Sequence, residues 1–325
     1  MKYGGRLVAA GVIAFAASLA GAQAQEDWPS KPVTIIVPYA PGGSSDTLGR
    51  LVAQGLSEKF GQQFVVENRP GAGGTTGSAQ VADEDPDGYT LVISGIGSHV
   101  VAPAINPSVG YDPMKDFTHI AILGGPPTVL IAHPSLGVNT VEELVNAAKA
   151  GDRRITYASS GAGTHAHLIG EAFKKAAGFE MEHIPYRGGA EAITDIIGGH
   201  VPVGSMAMAS AAEQVRAGTV KGLAITSPER LKDFPDIPTY TEAGYPDLVA
   251  TTWFSLSGPA GMPEEIVAKL NQATTEFMES DAAQERLHQD TIVTNPLDVK
   301  GTNEFFQEEI DRWTPIAKAS GATVQ

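Results

Sequence analysis

The chain of 325 residues contains no cysteine, which excludes disulfide bonds, thiolate metal sites and cysteine nucleophiles. Positive charge is also scarce, because 22 Lys and Arg stand against 37 Asp and Glu and give a formal net charge of −15. A nucleic-acid-binding protein needs a basic surface, so this balance argues against nucleic acid as a partner. Hydrophobic residues make up 42% of the chain, which excludes a disordered protein and allows a large buried core.

Long apolar runs are absent except near the N-terminus. Lys2 and Arg6 flank the start of an apolar segment of 14 residues from Leu7 to Ala20, too short to span about 30 Å of hydrocarbon. The small residues of Ala22-Gln23-Ala24 follow it. This arrangement predicts a signal peptide over residues 1–24, cleavage before Gln25 and a mature protein in the periplasm. The alternatives are an uncleaved anchor or a buried helix.

The first segment after this leader alternates between strand and helix patterns. The β-branched run Val33–Val37 predicts a strand buried on both faces, and the glycines of Pro38–Gly43 permit a tight turn after it. Apolar residues then recur at helical spacing, and Phe64–Val66 predicts a second strand. Such a β-loop-α-β unit favours a parallel sheet. The helix can be capped by one of three residues that follow the turn: Ser44, Ser45 or Asp46.

The same order of elements returns about 118 residues later. Ile155–Ser159 predicts a strand, and a glycine-rich turn and a helical stripe follow it. The distance from Gly43 to Arg69 is 26 residues, and so is the distance from Gly161 to Arg187. We therefore predict two related α/β lobes. Each would present a helix N-terminus at the carboxyl end of its sheet.

Two such helix N-termini indicate an anion site, because their free N–H groups and partial positive charge attract carboxylates. Arg69 and Arg187 offer positive charge nearby, and each can instead form a structural ion pair. Tyr39 either packs inside its lobe or forms a wall of the cleft. Asp46 can serve as a catalytic carboxylate, although capping its own helix is the favoured interpretation.

Motifs of common enzymes are missing. The chain has neither a G-x-S-x-G elbow nor the Gly-Lys pair of a P-loop. Gly161–Ala166 satisfies G-x-G-x-x-A, but Tyr186 and Arg187 occupy the end of the next strand, where a dinucleotide site needs an acidic residue. His165 and His167 are two positions apart and so lie on different helix faces, which argues against a shared metal ion. His165, at the helix start, is a candidate hydrogen-bond donor to a ligand.

Seven short segments form a specific pattern in a fixed order: Val37–Asp46, Glu67–Gly74, Pro86–Leu91, Ser159–Thr164, His167–Glu171, Pro185–Gly189 and Pro235–Thr239. In this order they resemble the periplasmic substrate-binding proteins of tripartite tricarboxylate transporters, the Bug or TctC-like family. The resemblance runs through nearly the whole chain after the leader.

This resemblance implies a two-lobed α/β fold of the type II periplasmic-binding-protein class. Each lobe would be a mainly parallel sheet flanked by helices, with the ligand cleft between them. Lobe 1 would contain residues 25–124 with 252–325, and lobe 2 residues 125–251. The ligand-binding residues carried over by motif are Tyr39, Gly42, Gly43, Ser44 and Asp46 in lobe 1, and Ser159, Ser160, Gly163, Thr164, His165, Tyr186, Arg187 and Gly188 in lobe 2.

The function implied is capture of a small organic carboxylate (a di- or tricarboxylate or an aromatic acid) and its delivery to the permease of such a transporter. No catalytic residue, metal or cofactor is expected, and the protein would act as a monomer. The alternatives are an enzyme on the same scaffold, using Asp46 or His165, and a ligand sensor for a signalling receptor. One segment departs from the family, which commonly has an apolar-Phe-Asp run where this chain has Val203–Met208. That departure implies a small apolar wall suited to a bulkier or less polar acid.

Overall fold

The computed structural model of the protein describes residues 28–151 and 154–322. The predicted signal peptide, residues 1–24, lies outside these ranges. Within them, no helix combines the length and apolar character needed to cross a membrane.

Strands and helices alternate along the described chain. Its strands are β1 (Val33–Val37), β2 (Phe64–Asn68), β3 (Thr90–Gly95), β4 (Phe117–Gly124), β5 (Thr128–Ala132), β6 (Thr156–Ser159), β7 (Glu182–Pro185), β8 (Val203–Ala207), β9 (Lys221–Ile225) and β10 (Phe254–Pro259). Its α-helices are α1 (Ser44–Phe60), α2 (Thr75–Ala82), α3 (Ala102–Ile105), α4 (Val141–Ala150), α5 (His165–Ala177), α6 (Gly189–Ile197), α7 (Met208–Arg216), α8 (Glu264–Met278), α9 (Asp281–Gln289) and α10 (Val299–Ala319). A π-helical turn, Gly97–Val101, leads into α3.

The strands form two five-stranded sheets, one in each lobe. The first has the order β2-β1-β3-β10-β4 and the second β7-β6-β8-β5-β9. In the first sheet β1 is parallel to β2 and β3, whereas β10 runs antiparallel to its neighbours. The second sheet repeats this pattern, with β6 parallel to its neighbours and β5 antiparallel to its own. The two-lobed α/β architecture is therefore confirmed, and each sheet is mixed.

The core of the first lobe follows from the sequence pattern. Four of the five residues of β1 are buried, as expected for a strand covered on both faces. Helix α1 packs Leu48, Val52 and Leu56 against the sheet, and each buried leucine contributes about 2 kcal/mol of hydrophobic free energy. At Gly55 the lack of a side chain lets the ring of Phe277 in α8 pack directly against the helix backbone.

Two connections and the C-terminal helix join the lobes. The chain passes from β4 to β5 through Gly125, which exchanges two backbone hydrogen bonds of 3.0 Å with Val293. The indole N–H groups of Trp253 and Trp313 donate to the buried Glu309 carboxylate at 2.7 and 2.8 Å. Burial raises the pKa of Glu309, and the bonds from the two indoles only partly offset this effect. These contacts fix α10 against the start of β10, the strand with which the chain returns to the first lobe.

Candidate ligand-binding site

Five helices of eight residues or more begin where parallel strands end. In the first lobe α1 and α2 follow β1 and β2, and in the second α5, α6 and α7 follow β6, β7 and β8. Because the carboxyl ends of parallel strands share one edge of a sheet, these helix N-termini gather at one edge of each lobe. The two edges lie close together between the lobes, since a Cβ at Gly163 of the second lobe would lie 3.2 Å from Val101 of the first. The region between these edges is called the cleft below.

The first-lobe part of the cleft is the loop between β1 and α1. Its residues from Ala40 to Gly43 are exposed, and Ser44 is half-buried. Gly43 is the N-cap of α1, with φ of −88° and ψ of 173°, and no side chain caps the helix. The first amides of α1 therefore keep their hydrogen-bonding capacity for another acceptor.

The Asp46 carboxylate holds this loop together. It accepts hydrogen bonds from the Gly42 amide (3.0 Å), Arg50 Nε (3.0 Å) and Asn68 Nδ2 (2.9 Å). Burial raises the pKa of Asp46, but the bonds from Arg50, Gly42 and Asn68 outweigh burial and hold the pKa below its ordinary value. The prediction that Ser44, Ser45 or Asp46 caps this helix is wrong, because Gly43 is the N-cap and no side chain caps α1. The Asp46 carboxylate lies in the first turn and instead accepts from the amide of Gly42, the residue before the N-cap.

We expect Asp46→Asn to destabilise the protein by about 2 kcal/mol at pH 7, because the variant loses charge-assisted hydrogen bonds. The lowered pKa means that this stabilisation is complete above the ordinary value of 3.8 and is lost as the pH falls through the folded-state pKa. Urea unfolding at pH 7 and at pH 3 measures both effects. Asp85→Asn, at an exposed aspartate, is the matched control. Equal unfolding free energies of Asp46→Asn and wild type at pH 7 would contradict this role.

Tyr39 lies in the wall of the first lobe. Its ring packs against the backbone of Gly74 and Gly97 and meets Phe254 edge-on, with ring centroids 6.3 Å apart. Burial raises the pKa of Tyr39, and hydrogen bonding to Ser98 opposes the shift. The packing interpretation of this residue is confirmed, although half-buried Tyr39 keeps some exposure.

The second-lobe part of the cleft is the loop Ser159–Thr164. The Thr164 hydroxyl donates to the Gly161 carbonyl at 2.8 Å and accepts from the His167 amide at 3.3 Å, so Thr164 is the N-cap of α5. Thr164 and Asp46 share a spacing in the sequence but not a position, because Asp46 lies inside the first turn of its helix. The Ser159 hydroxyl is buried and bonded to Gly161, whereas Ser160 and Gly163 are partly exposed.

His165 lies in the interior rather than on the open lip of the cleft. Its side chain is 3% exposed, and Nδ1 lies 3.0 Å from the Thr128 hydroxyl. The ring meets Trp313 edge-on at 5.4 Å, and Nε2 has no hydrogen-bond partner among the described residues. Burial, helped by the charge of Arg312, lowers the pKa of His165 to about 3. This imidazole is neutral and contacts the elements that join the lobes.

The loop after β7 brings three predicted residues beside the loop Ser159–Thr164, since a Cβ at Gly161 would lie 3.3 Å from the Tyr186 carbonyl oxygen. The Tyr186 hydroxyl donates to Asp195 at 2.6 Å, and burial with this carboxylate raises the pKa of Tyr186 to about 12. Arg187 is exposed and forms no ion pair with any residue that the structure describes. Arg69 of the first lobe, by contrast, is bonded to Glu67 at 2.6 Å. The two arginines therefore differ in ion pairing. Arg69 is paired with Glu67, whereas the Arg187 guanidinium forms no ion pair among the described residues.

The methionines of Val203–Met208 correct one expectation. The side chains of Met206 and Met208 are fully buried in the core of the second lobe, so they form no apolar wall. Only Ala207 of this segment is half-buried. The motifs did not predict the N-terminus of α7, which follows Ala207. The sequence pattern of a strand followed directly by a helix could have indicated it.

No metal site accompanies these groups. Among the residues that the structure describes, no three His, Asp or Glu side chains converge in a way that can hold a metal ion. A surface cavity of about 570 Å³ lies elsewhere in the second lobe, between Pro134 and Phe234.

Comparison with known proteins identifies similar chains. Residues 48–322 match the family described as tripartite tricarboxylate transporter family receptor. Protein BugT of Bordetella pertussis is 32% identical over 323 residues, covering 98% of either chain. The structure of Rpa4515 of R. palustris with adipate is 34% identical, with a TM-score of 0.79 and coverage of 91% of this chain and 99% of that one. MatC (Rpa3494) of Rhodopseudomonas palustris with bound malate is 31% identical, with a TM-score of 0.75 and coverage of 89% and 100%.

Proposed function

Because this chain belongs to the tripartite tricarboxylate transporter receptor family, we propose that it captures a small organic carboxylate in the periplasm and delivers it to a membrane permease. Proteins of this family are periplasmic binding proteins rather than enzymes. The observation that supports the proposal most directly is the unpaired guanidinium of Arg187, beside helix N-termini that face one cleft.

The proposed site has to overcome the overall charge of the protein. A formal net charge of −15 repels an anion, but ions screen this repulsion beyond about 10 Å. Each charge-assisted hydrogen bond contributes about 1.5–3 kcal/mol, and micromolar binding needs about 8 kcal/mol. Roughly four such contacts are therefore required after entropic losses. A helix N-terminus in each lobe, together with Arg187, supplies donors in sufficient number.

We infer that the ligand is a dicarboxylate, with one carboxylate group held by each lobe. Two relatives were solved with adipate and with malate, which both have a carboxylate at either end. In this arrangement α1 binds one end of the ligand, while α5, α6 and Arg187 bind the other. We propose the lobe boundaries 25–124 with 252–325, and 125–251, because the described strands of the two sheets fall within these segments.

The proposal is tested by isothermal titration with malate and adipate against hexanoate, which matches adipate in length but lacks one carboxylate. We expect at least 10-fold tighter binding of one of the two dicarboxylates, because hexanoate leaves the donors of one lobe unpaired. An affinity for hexanoate equal to that for the tighter-binding dicarboxylate would contradict the two-ended arrangement. Conversion of a bound acid into a product would favour an enzyme. Transport by membrane vesicles that contain the permease, measured with and without the protein, tests delivery.

A further inference from the structure

A stacked pair of histidines supports the second-lobe loop Ser159–Thr164. His167 of α5 and His183 of β7 lie with their ring centroids 3.8 Å apart and their planes 10° from parallel. Neither residue belongs to the ligand-binding set carried over by motif. Each ring contacts a different end of the loop.

His167 holds the end of the loop that leads into α5. The Gly163 amide donates to His167 Nδ1 at 3.0 Å, so this ring nitrogen carries no proton. The proton of the neutral ring is therefore on Nε2, which is buried and has no partner among the described residues. The backbone amide of His167 in turn donates to the Thr164 hydroxyl at 3.3 Å. One residue thus fixes both Gly163 and Thr164.

His183 holds the other end of the loop, where β6 finishes. Its Nε2 lies 2.7 Å from the Ser159 hydroxyl. Ser159 also bonds to Gly161, through the carbonyl at 3.1 Å and the amide at 3.2 Å. The stacked rings therefore connect the two ends of the loop.

We propose that His167 and His183 are positioning residues, whose neutral rings hold the amides of Ser159–Thr164 in place for the ligand, and that protonation of His167 releases Gly163. The role in ligand binding rests on the proposed function. The role in ordering the loop does not, because the contacts lie entirely within the second lobe.

Burial favours the neutral state of the pair, whereas the carboxylate of Glu171 opposes this effect at His167. On α5, Glu171 and Lys174 form an ion pair of 2.9 Å, so their charges oppose each other near the rings. Tyr157 of β6 donates to Glu171 at 2.6 Å, and Glu180 lies 3.9 Å from Lys174. Burial lowers the pKa values of both histidines. For His183, the nearby His167 and Lys174 contribute to this effect, and the pKa falls to about 3.

Protonation of His167 breaks the contact for a geometric reason. A proton on Nδ1 would point at the N–H of Gly163, and the new charge would stack against the ring of His183. Because folding lowers these pKa values, the stabilisation is complete above the ordinary value of 6.5 and is lost as the pH falls below it. Linkage therefore predicts weaker protection of the loop at pH 5 than at pH 7.5.

The test is hydrogen exchange of the Gly163 amide in the ligand-free protein, expressed as a protection factor so that the intrinsic effect of pH is removed. His167→Phe keeps a flat ring for stacking but has no acceptor, and we expect about 10-fold lower protection at pH 7.5, equivalent to one hydrogen bond. His167→Asn supplies an acceptor oxygen near the place of Nδ1, and we expect it to restore protection. His200→Asn, at an exposed histidine of the same lobe, is the control.

The pH dependence is measured with the double variant His167→Asn/His183→Gln, in which we expect the loss of protection at pH 5 to disappear. The proposal would be overturned by unchanged protection in His167→Phe. It would also be overturned if the double variant lost as much protection at pH 5 as wild type. Thermal melting shows whether each variant is folded, and His183→Gln alone is the second variant should His167→Phe fail to fold. Adipate titration follows separately: if wild type binds no carboxylate while the exchange results hold, only the proposed function fails.

Discussion

Replacing Arg187 by methionine is expected to weaken dicarboxylate binding by about 10- to 100-fold, because a charge-assisted hydrogen bond contributes about 1.5–3 kcal/mol. The guanidinium is exposed and has no ion-pair partner among the described residues, so its removal leaves no protein carboxylate without a partner. We therefore expect little change in the free energy of unfolding. Isothermal titration with adipate or malate measures the affinity, and urea unfolding measures the stability.

Arg154→Met is the matched control for Arg187→Met. Arg154 is also an exposed arginine of the second lobe, but it pairs with Glu182 at 3.0 Å, at the opposite end of strand β7 from Arg187. Both variants change the net charge by the same amount, so an effect of overall charge on anion binding appears equally in both. Equal affinities of Arg187→Met and Arg154→Met would exclude Arg187 from the site.

The difference between the two motif arginines was available in the sequence. Glu67 stands two residues before Arg69, and residues two apart in a strand lie on the same face, which predicts their ion pair. At the same distance before Arg187 stands Pro185, which has no charge. Both lobes thus have an arginine in the loop after the second strand, but only the first lobe places a carboxylate two residues before it.

Other parts of the fold and site were less accessible from the sequence. The β-branched run of β1 and the helical spacing of α1 were sufficient to predict both elements, which local residues determine. The sequence spacing between equivalent positions of the two lobes is not constant, however. Helices α1 and α5 begin at Ser44 and His165, 121 positions apart rather than about 118, because the two strand-to-helix loops differ in length. The position of His165 depends on Thr128 and Trp313, which reach it from distant parts of the chain.

Replacing Gly43 by threonine is expected to weaken dicarboxylate binding by about 100-fold without loss of stability. Gly43 is the N-cap of α1, and its φ of −88° is accessible to any residue. A Cβ there would meet no atom within 4 Å, so neither conformation nor internal packing requires glycine. Threonine caps helices about as well as glycine, and its hydroxyl would accept from the amides that we assign to the ligand. The loss of about 2.7 kcal/mol corresponds to one or two charge-assisted hydrogen bonds.

Gly188 repeats this arrangement in the second lobe. It is the N-cap of α6, its backbone is extended, and a Cβ would again enter open space. Helices α5 and α9 instead begin with side-chain caps, from Thr164 and Ser280. At the uncapped starts of α1 and α6, we expect glycine to allow close approach of a ligand to the backbone.

The decisive comparison sets Gly43→Thr and Gly188→Thr against Ser280→Thr, which places the same side chain at the start of α9, a helix that does not follow a parallel strand of the cleft. If the ligand uses the uncapped amides, both glycine variants lose affinity while their melting temperatures stay equal to or above that of wild type. A side-chain cap at Gly43 that raises stability and leaves dicarboxylate affinity unchanged would place the ligand away from α1. Loss of affinity in only one glycine variant would show that a single lobe holds the carboxylate, which would contradict the two-ended arrangement.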